Sequence, residues 1–452
     1  MVALFFYLGV AHFPERGNEP EVEFDLQTDA IPSRDSIRQI TKKINIMVTK
    51  TKIPLLKDHH SHPFLSALLS DCINLKDAQT KAEALSIMRE AHKDEINIIV
   101  GWSNSWYSFE EHELDQLPPV IICNTSFHCF LINRATKEKL GTSHQEILTL
   151  MNDEKWVEKN LPKILKFIGS LKPYHPKQVK TFYRYLLQQG VWFAEEMLLP
   201  FEWVIPLFKE LGYFDRTRFW ADIEMFHSLS QEVQKDVYGI KVFTDGALGS
   251  KTAALKVPYS SGEKGVLVYS DEELRALINQ VAEINKAVAL HGIGDRAIAQ
   301  IITVLNKINN EQGKIPPTRI EHGTLISRHE AQQAKALGIT LSMQPNFSIN
   351  SERYQDRLSE HYCRQINPFR MLIDDIGFVP GQDLVFGSDG MPFGVQTALE
   401  KALFPPLPSQ VLTLDEFVKG YCMPDHKNGL LEVTIDEEKR RVSTEVKKVG
   451  YA

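Results

Sequence analysis

Short apolar runs alternate with longer amphipathic windows along most of the chain, starting at about residue 53. The runs are rich in β-branched residues, which is typical of parallel strands buried on both faces. The windows repeat apolar residues every three or four positions, which predicts helices that cover such a sheet. The strands are predicted within 96–102, 120–127, 190–197, 217–226, 238–246, 287–295, 318–323, 338–346 and 383–390, and the clearest helices within 272–286, 296–310 and 329–338.

The later runs end in polar residues that are capable of chemistry: KVFTDG, VALHGIGD, RIEHG and VFGSDG. In a (β/α)₈ barrel, active-site residues lie at the carboxyl ends of the strands. An open doubly wound sheet would instead require a glycine-rich phosphate turn after its first strand, and the sequence has no such turn. The pattern therefore predicts an α/β protein built on a (β/α)₈ TIM barrel.

The two ends of the chain differ from this repeat. Residues 1–50 contain two strand-like pieces, and the tail 425–452 alternates weakly with period two, which predicts a hairpin. We expect these ends to form a small β subdomain beside a barrel that spans 51–424. The mainly helical segment at about 134–190 is predicted to be an insertion that caps the barrel mouth. No positive charge precedes the first apolar run, so a strand is favoured there over a signal peptide.

Composition narrows the class of partner. The net charge is −7 and neither sign forms a long block, which favours a small-molecule substrate over nucleic acid. The five cysteines are scattered without a CxxC pair, which predicts a reduced, cytoplasmic protein. No run approaches the roughly 18 apolar residues of a membrane span, so no membrane partner is expected. A homodimer is an open expectation.

The stretch LLKDHHSHP offers the first candidate ligands. Residues i and i+2 of a strand face the same side, so His60 and His62 would project together while His59 points away. Asp58 shares their side and is predicted to orient one imidazole from behind. A histidine-rich polar loop remains the alternative for this stretch taken alone.

Three further residues make a metal site the better interpretation. His291 and His322 each end an apolar run and precede a glycine, and Asp389 closes the last run. Four imidazoles and one carboxylate at the strand ends of one barrel suit one or two divalent ions, with zinc as the first expectation.

Lys241 lies inside a predicted strand, where burying its charge is costly unless it is paired. One interpretation pairs it with Asp245 or Glu195, or turns its amine outward. The other has CO₂ convert the amine into an anionic carbamate that ligates metal. The residues alone leave both open.

Together these motifs resemble family 3 of the amidohydrolase superfamily, the YtcJ-like and N-substituted formamide deformylase-like proteins. The resemblance runs in order from about residue 55 to 400 through HxH, KVFTDGALGSKTA, LHGIGDRAI, RIEHG, SMQPNF and GSDG. It implies that His60 and His62 hold the more buried metal and that a carboxylated Lys241 bridges to a second metal on His291 and His322. Asp389 would be the general base that takes a proton from the attacking water.

The resemblance also suggests residues that bind substrate. These are Trp102, His128, Asp245 and Arg296. Glu195, at the end of a predicted third strand, is the substitute bridging ligand if Lys241 is not carboxylated. Both chain ends are shorter than the family's usual β segments, so the β subdomain is expected to be reduced.

The implied reaction is metal-dependent hydrolysis of an amide or related non-peptide C–N bond in a small molecule. A metal-dependent esterase or lactonase is the alternative within enzymes. A non-catalytic regulatory protein that retains the barrel is the alternative outside them.

Overall fold

The computed structural model describes residues 48–90, 95–103, 106–421 and 423–449. The two strand-like pieces predicted near the start of the chain lie outside these residues. The strands are β1 (Val48–Pro54), β2 (Leu56–Ser61), β3 (Ile73–Asn74), β4 (Asn97–Trp102), β5 (Val120–Asn124), β6 (Phe130–Ile132), β7 (Val191–Glu196), β8 (Thr217–Ala221), β9 (Val237–Phe243), β10 (Ala287–Gly292), β11 (Thr318–His322), β12 (Thr340–Met343), β13 (Leu384–Phe386), β14 (Gly429–Asp436) and β15 (Arg441–Val449).

The α-helices surround these strands. They are α1 (Pro63–Leu68), α2 (Lys81–Glu90), α3 (Glu111–Leu114), α4 (Arg134–Leu140), α5 (Gln145–Leu150), α6 (Glu154–Lys159), α7 (Leu161–Ser170), α8 (Pro176–Gln188), α9 (Val204–Glu210), α10 (Ile223–Ser228), α11 (Gln231–Asp236), α12 (Asp271–Glu283), α13 (Asp295–Gln312), α14 (Arg328–Ala336), α15 (Asn350–Arg353), α16 (Glu360–Gln365), α17 (Val395–Leu403) and α18 (Leu414–Tyr421). Short 3₁₀ turns lie at Phe214–Arg216, Pro345–Ile349 and Pro408–Gln410, and a π-helical turn lies at Met371–Ile376. None of the helices in the described part of the chain is both long and apolar enough to cross a bilayer.

Eight parallel strands form the predicted barrel sheet, in the order β13-β12-β11-β10-β9-β8-β7-β2. Their apolar side chains pack against the surrounding helices in one large core. Helix α12, for example, turns Leu274, Ile278 and Val281 inward at helical spacing and leaves its charged residues outside. The (β/α)₈ prediction is confirmed.

Two predicted strands belong to a different sheet. The runs in 96–102 and 120–127 form β4 and β5, which pair with β3 and β6 in a four-stranded sheet. The segment that forms this sheet comes after β2 and before β7 along the chain. β7 is therefore the second strand of the barrel in chain order, whereas the sequence predicted it to be the third. The helical segment 134–190 contains no barrel strand, but the chain has already left the barrel before residue 134. Local pattern identifies a strand but not the sheet that it joins.

The C-terminal tail forms the predicted hairpin, with β14 and β15 antiparallel. Strand β1 adds to β14 with Val48 opposite Asp436, which gives a three-stranded sheet. The division into 1–50, 51–424 and 425–452 stays a prediction, because the residues before Val48 are not described.

The junction between the first barrel strand, β2, and the last, β13, is made by residues of the predicted site. The Asp58 carboxylate accepts hydrogen bonds from the Ser388 N–H at 2.9 Å and the Ser388 hydroxyl at 2.5 Å. The Asp389 N–H donates to the His60 carbonyl at 2.7 Å. Gly387 permits this approach, since a Cβ there would lie 2.4 Å from the His60 nitrogen. Asp58 thus joins two strands, whereas the sequence suggested that it orients an imidazole.

Candidate metal centre

Three predicted ligands converge at the carboxyl ends of the barrel strands. His60 Nε2, a ring nitrogen of His322 and a carboxylate oxygen of Asp389 offer ligand atoms that lie within 4.8 Å of one another. The rings of His60 and His322 have centroids 4.6 Å apart, and His60 Nε2 lies 3.7 Å from Asp389 Oδ1. His322 and Asp389 both have left-handed backbones, with φ of 69° and 53°. Such conformations cost energy for residues other than glycine and concentrate at functional sites.

His62 reaches the same carboxylate from just beyond the strand. It is the N-cap of α1, one residue past the end of β2. Its Nε2 lies 3.7 Å from Asp389 Oδ1, and its Nδ1 lies 3.6 Å from Glu196 Oε1. Within the described residues, His62 Nδ1 is buried without a hydrogen-bond partner. The predicted common orientation of His60 and His62 therefore places both beside Asp389.

His291 joins the cluster through His322, with ring centroids 4.5 Å apart. Its Nε2 lies 3.1 Å from the carbonyl oxygen of Gly246, to which it donates. Its Nδ1 is buried and has no hydrogen-bond partner in the part of the chain that the structure describes. The four predicted histidine ligands are thus neighbours in space.

Lys241 points into the cluster. It is 2% exposed, and its Nζ lies 3.5 Å from His60 Nε2. No carboxylate of the described residues lies within 4.0 Å of Nζ, so neither the ion pair with Asp245 or Glu195 nor the outward orientation occurs. Burial lowers the pKa of Lys241 to about 8, which favours the neutral amine that reacts with CO₂.

Comparison with known proteins agrees with this arrangement. Residues 187–399 match the model of the family described as Amidohydrolase family, Amidohydro_3. Over this segment the chain is similar to the amidohydrolase family. The Bacillus subtilis (strain 168) protein YtcJ, which is named as an amidohydrolase, is 36% identical over 137 residues, which are 30% of this chain and 26% of YtcJ. The match thus spans about a quarter of that relative's length.

Two crystal structures share the fold. An uncharacterized metal-dependent hydrolase from Pyrococcus horikoshii OT3 is similar with a TM-score of 0.55 and 21% identity, over 82% of this chain and 79% of that one. One from Pyrococcus furiosus has a TM-score of 0.57 and 19% identity, over 85% of each chain. At these identities the likeness shows the fold alone.

Two residues of the barrel that the sequence did not single out orient the histidines. Glu321 Oε2 lies 2.5 Å from His60 Nδ1, and Gln344 Oε1 lies 2.8 Å from His322 Nδ1. Each partner fixes one ring nitrogen and leaves the other for the site. Burial lowers the pKa of His60, His291 and His322 well below the usual value, so these rings are neutral, as metal binding requires. Their signal was present in the motifs RIEHG, where Glu321 precedes His322, and SMQPN, which contains Gln344.

Glu195 is held away from the bridging role predicted for it. It is fully buried, and its two oxygens accept four side-chain hydrogen bonds between 2.8 and 3.2 Å. Burial alone would raise the pKa of Glu195, but Arg319, His59 and Arg218 together outweigh this effect and the pKa is lowered. The four donors are His59, Arg218, Trp220 and Arg319. His59, predicted to be a bystander, belongs to this network.

Among the four predicted substrate-binding residues, His128 and Asp245 both lie beside His291. The ring centroid of His128 is 5.7 Å from that of His291, and His128 Nδ1 lies 2.6 Å from Glu158 Oε2. Burial opposes the charged form of the imidazole, but the carboxylates of Glu158, Asp389 and Asp245 together outweigh it and raise the pKa of His128.

The structure places the other three residues in different surroundings. Trp102 is 2% exposed in the core of the four-stranded sheet, and its indole N–H donates to the Tyr107 carbonyl. The buried Asp245 carboxylate accepts backbone hydrogen bonds from residues 254, 293 and 294, and its Oδ1 lies 3.6 Å from His291 Nε2. Arg296 is half-buried in the first turn of α13.

Proposed function

We propose that this protein is a metal-dependent hydrolase that cleaves an amide or related non-peptide C–N bond of a small molecule. The observation that carries the proposal is the convergence of His60, His322 and Asp389 at the carboxyl ends of the barrel strands. That end of a (β/α)₈ barrel is where such enzymes place their catalytic groups.

The residues fit a divalent metal, with zinc as the first candidate. The donor set contains neutral imidazoles and a carboxylate, which suit zinc and similar ions. The ring nitrogens His62 Nδ1 and His291 Nδ1 are buried without a partner in the described residues, a state that is costly without a ligand. His60, His62, His291 and His322 would hold one or two ions, with Lys241 as a further ligand once carboxylated. A bound ion supplies Lewis acidity and lowers the pKa of nearby water toward about 7.

Asp389 is the proposed general base. Its carboxylate is partly buried beside His60 and His62, and burial raises its pKa above the usual value. A raised pKa makes the carboxylate a better proton acceptor near neutral pH. Asp389 takes a proton from water as the water oxygen bonds to the substrate carbonyl carbon. It then delivers that proton to the leaving nitrogen as the C–N bond breaks.

The test is Asp389→Asn, which keeps the shape and removes the base. The wild type and the variant are loaded with zinc and assayed on matched pairs, acetyl and benzoyl p-nitroanilides against p-nitrophenyl acetate and benzoate. We expect amide turnover in the wild type, loss of turnover in the variant, and similar zinc contents by elemental analysis. The exposed Asp375→Asn is the matched control and should behave as the wild type.

Full activity of the Asp389→Asn variant would remove the mechanism. Turnover of the esters alone would favour an esterase or lactonase. Absence of bound metal, with no activity gained on adding Zn²⁺, would favour the regulatory alternative.

A further inference from the structure

The segment inserted between β2 and β7 reaches the metal centre at two places. One is a small cavity of about 20 Å³ beside His62, which Pro162, Leu165 and Lys166 of the insertion help to line. The other is His128, which follows β5. The insertion therefore borders the candidate site and also places side chains beside it.

Glu158 is a fully buried charged residue of the insertion that contacts His128. It lies on the short helix α6, is 0% exposed, and its Oε2 lies 2.6 Å from His128 Nδ1. A ring nitrogen that donates to a carboxylate is fixed as N–H, so the ring orientation is fixed as well. Nε2 is then the nitrogen with which His128 meets a ligand.

The barrel makes room for this carboxylate. A Cβ added at Gly246, just beyond β9, would lie 2.0 Å from Thr252 Oγ1 and 2.2 Å from Glu158 Oε1, so the absence of a side chain at Gly246 lets both groups approach. The carbonyl of the same glycine accepts the hydrogen bond from His291. Glu158 Oε1 is buried without a hydrogen-bond partner in the described residues. Burying a carboxylate in this way costs free energy, which a purely structural role on a surface insertion does not explain.

We propose that Glu158 is a positioning residue that holds His128 with its Nε2 directed at the carbonyl oxygen of a substrate in the metal centre. The inserted segment thereby completes the active site. The substrate half of this inference rests on the proposed function, whereas the contact between Glu158 and His128 does not.

The kinetic test is a double-mutant cycle on the zinc-loaded protein with the p-nitroanilides as probes. We expect Glu158→Gln to lower kcat/KM by about 10- to 100-fold, as is typical when a partner behind a site residue is lost. His128→Ala should lower it at least as much, and Glu158→Gln should cost nothing further in that background. The matched control is Glu154→Gln, an exposed glutamate on the same helix, which should behave as the wild type.

A spectroscopic test separates the two proposals. In the zinc-free protein, the His128 Nδ1–H bonded to a carboxylate should give a downfield proton NMR signal that His128→Ala abolishes. We expect Glu158→Gln to abolish or shift this signal and Glu154→Gln to keep it, with zinc contents alike in all variants. If the wild type hydrolyses no amide, the proposed function fails while the signal still decides the positioning role. The inference would be overturned if the NMR signal were unchanged in Glu158→Gln. It would also be overturned if Glu158→Gln lowered activity equally in the wild type and in the His128→Ala background.

Discussion

Replacing Arg319 with methionine should destabilise the barrel strongly, because this guanidinium lies between two fully buried carboxylates. It donates to Glu321 at 2.6 Å and to Glu195 at 2.9 Å. Removing one partner of a buried pair typically costs about 3–5 kcal/mol. Glu195 keeps three other donors in the variant, whereas Glu321 loses its only ion-pair partner among arginines and lysines of the described residues. We therefore expect the loss of one pair, about 3–5 kcal/mol, and not twice that amount.

The loss should depend on pH in a defined direction. Burial alone would raise the pKa of Glu321, but Arg319 and, to a smaller extent, Lys241 together outweigh it and hold the pKa below its usual value. In the wild type, the stability that Glu321 contributes is therefore present above the unfolded pKa and disappears as the pH falls through the folded value. Without Arg319, burial raises the folded pKa of Glu321, so the variant gains stability as the pH falls. The difference between the two proteins should be largest near pH 8 and smaller near pH 5.

The measurement is the free energy of unfolding of the zinc-free proteins in urea at both pH values. The two proteins are compared when the free energy falls with urea concentration at the same slope in both. The matched control is Arg328→Met, which removes an exposed arginine from a surface pair with Asp375. A surface pair contributes about 0–1 kcal/mol, so this control should change little. A loss in Arg319→Met no larger than in the control, or one that is the same at pH 8 and pH 5, would refute the reasoning.

Two further predictions concern the site itself. Gly387→Ala should lower zinc content and stability, because the new Cβ would lie 2.4 Å from the His60 backbone nitrogen. Gly169→Ala is the control, since a Cβ there would make only ordinary contacts of 3.4 Å or more. Equal zinc contents in the two variants would contradict this prediction. Zinc uptake by protein freed of CO₂ should rise on adding bicarbonate if Lys241 is carboxylated. Lys241→Arg should show no such rise, and uptake that ignores bicarbonate in the wild type would argue against the carbamate.

The sequence predicted the barrel and the proximity of the candidate ligands because both depend on the local order of residues. An apolar run followed by His291 or Asp389 predicts where a strand ends and which polar residue lies at that end. Once parallel strands form one barrel, those ends meet at one rim, so spatial proximity follows from topology. This is why histidines separated by hundreds of residues could be grouped correctly.

Partners that depend on tertiary approach could not be predicted in this way. Glu158 lies in an ordinary polar helical window, and only the folding of the insertion brings it to His128. The membership of β4 and β5 in a separate sheet is of the same kind, since their apolar runs read like barrel strands. The resemblance suggests that Trp102 binds substrate, whereas in the structure Trp102 is buried in the core of that second sheet.

The junction between β2 and β13 has a consequence for synthesis. Asp58 and Ser388, which join there, are 330 residues apart in the chain. At a ribosomal rate of about 5–20 residues per second, the first histidines leave the ribosome about 15–65 s before their partner carboxylate exists. Closing the barrel and assembling the metal centre are therefore one late event, and a nascent chain released before it should carry neither a closed barrel nor a complete site.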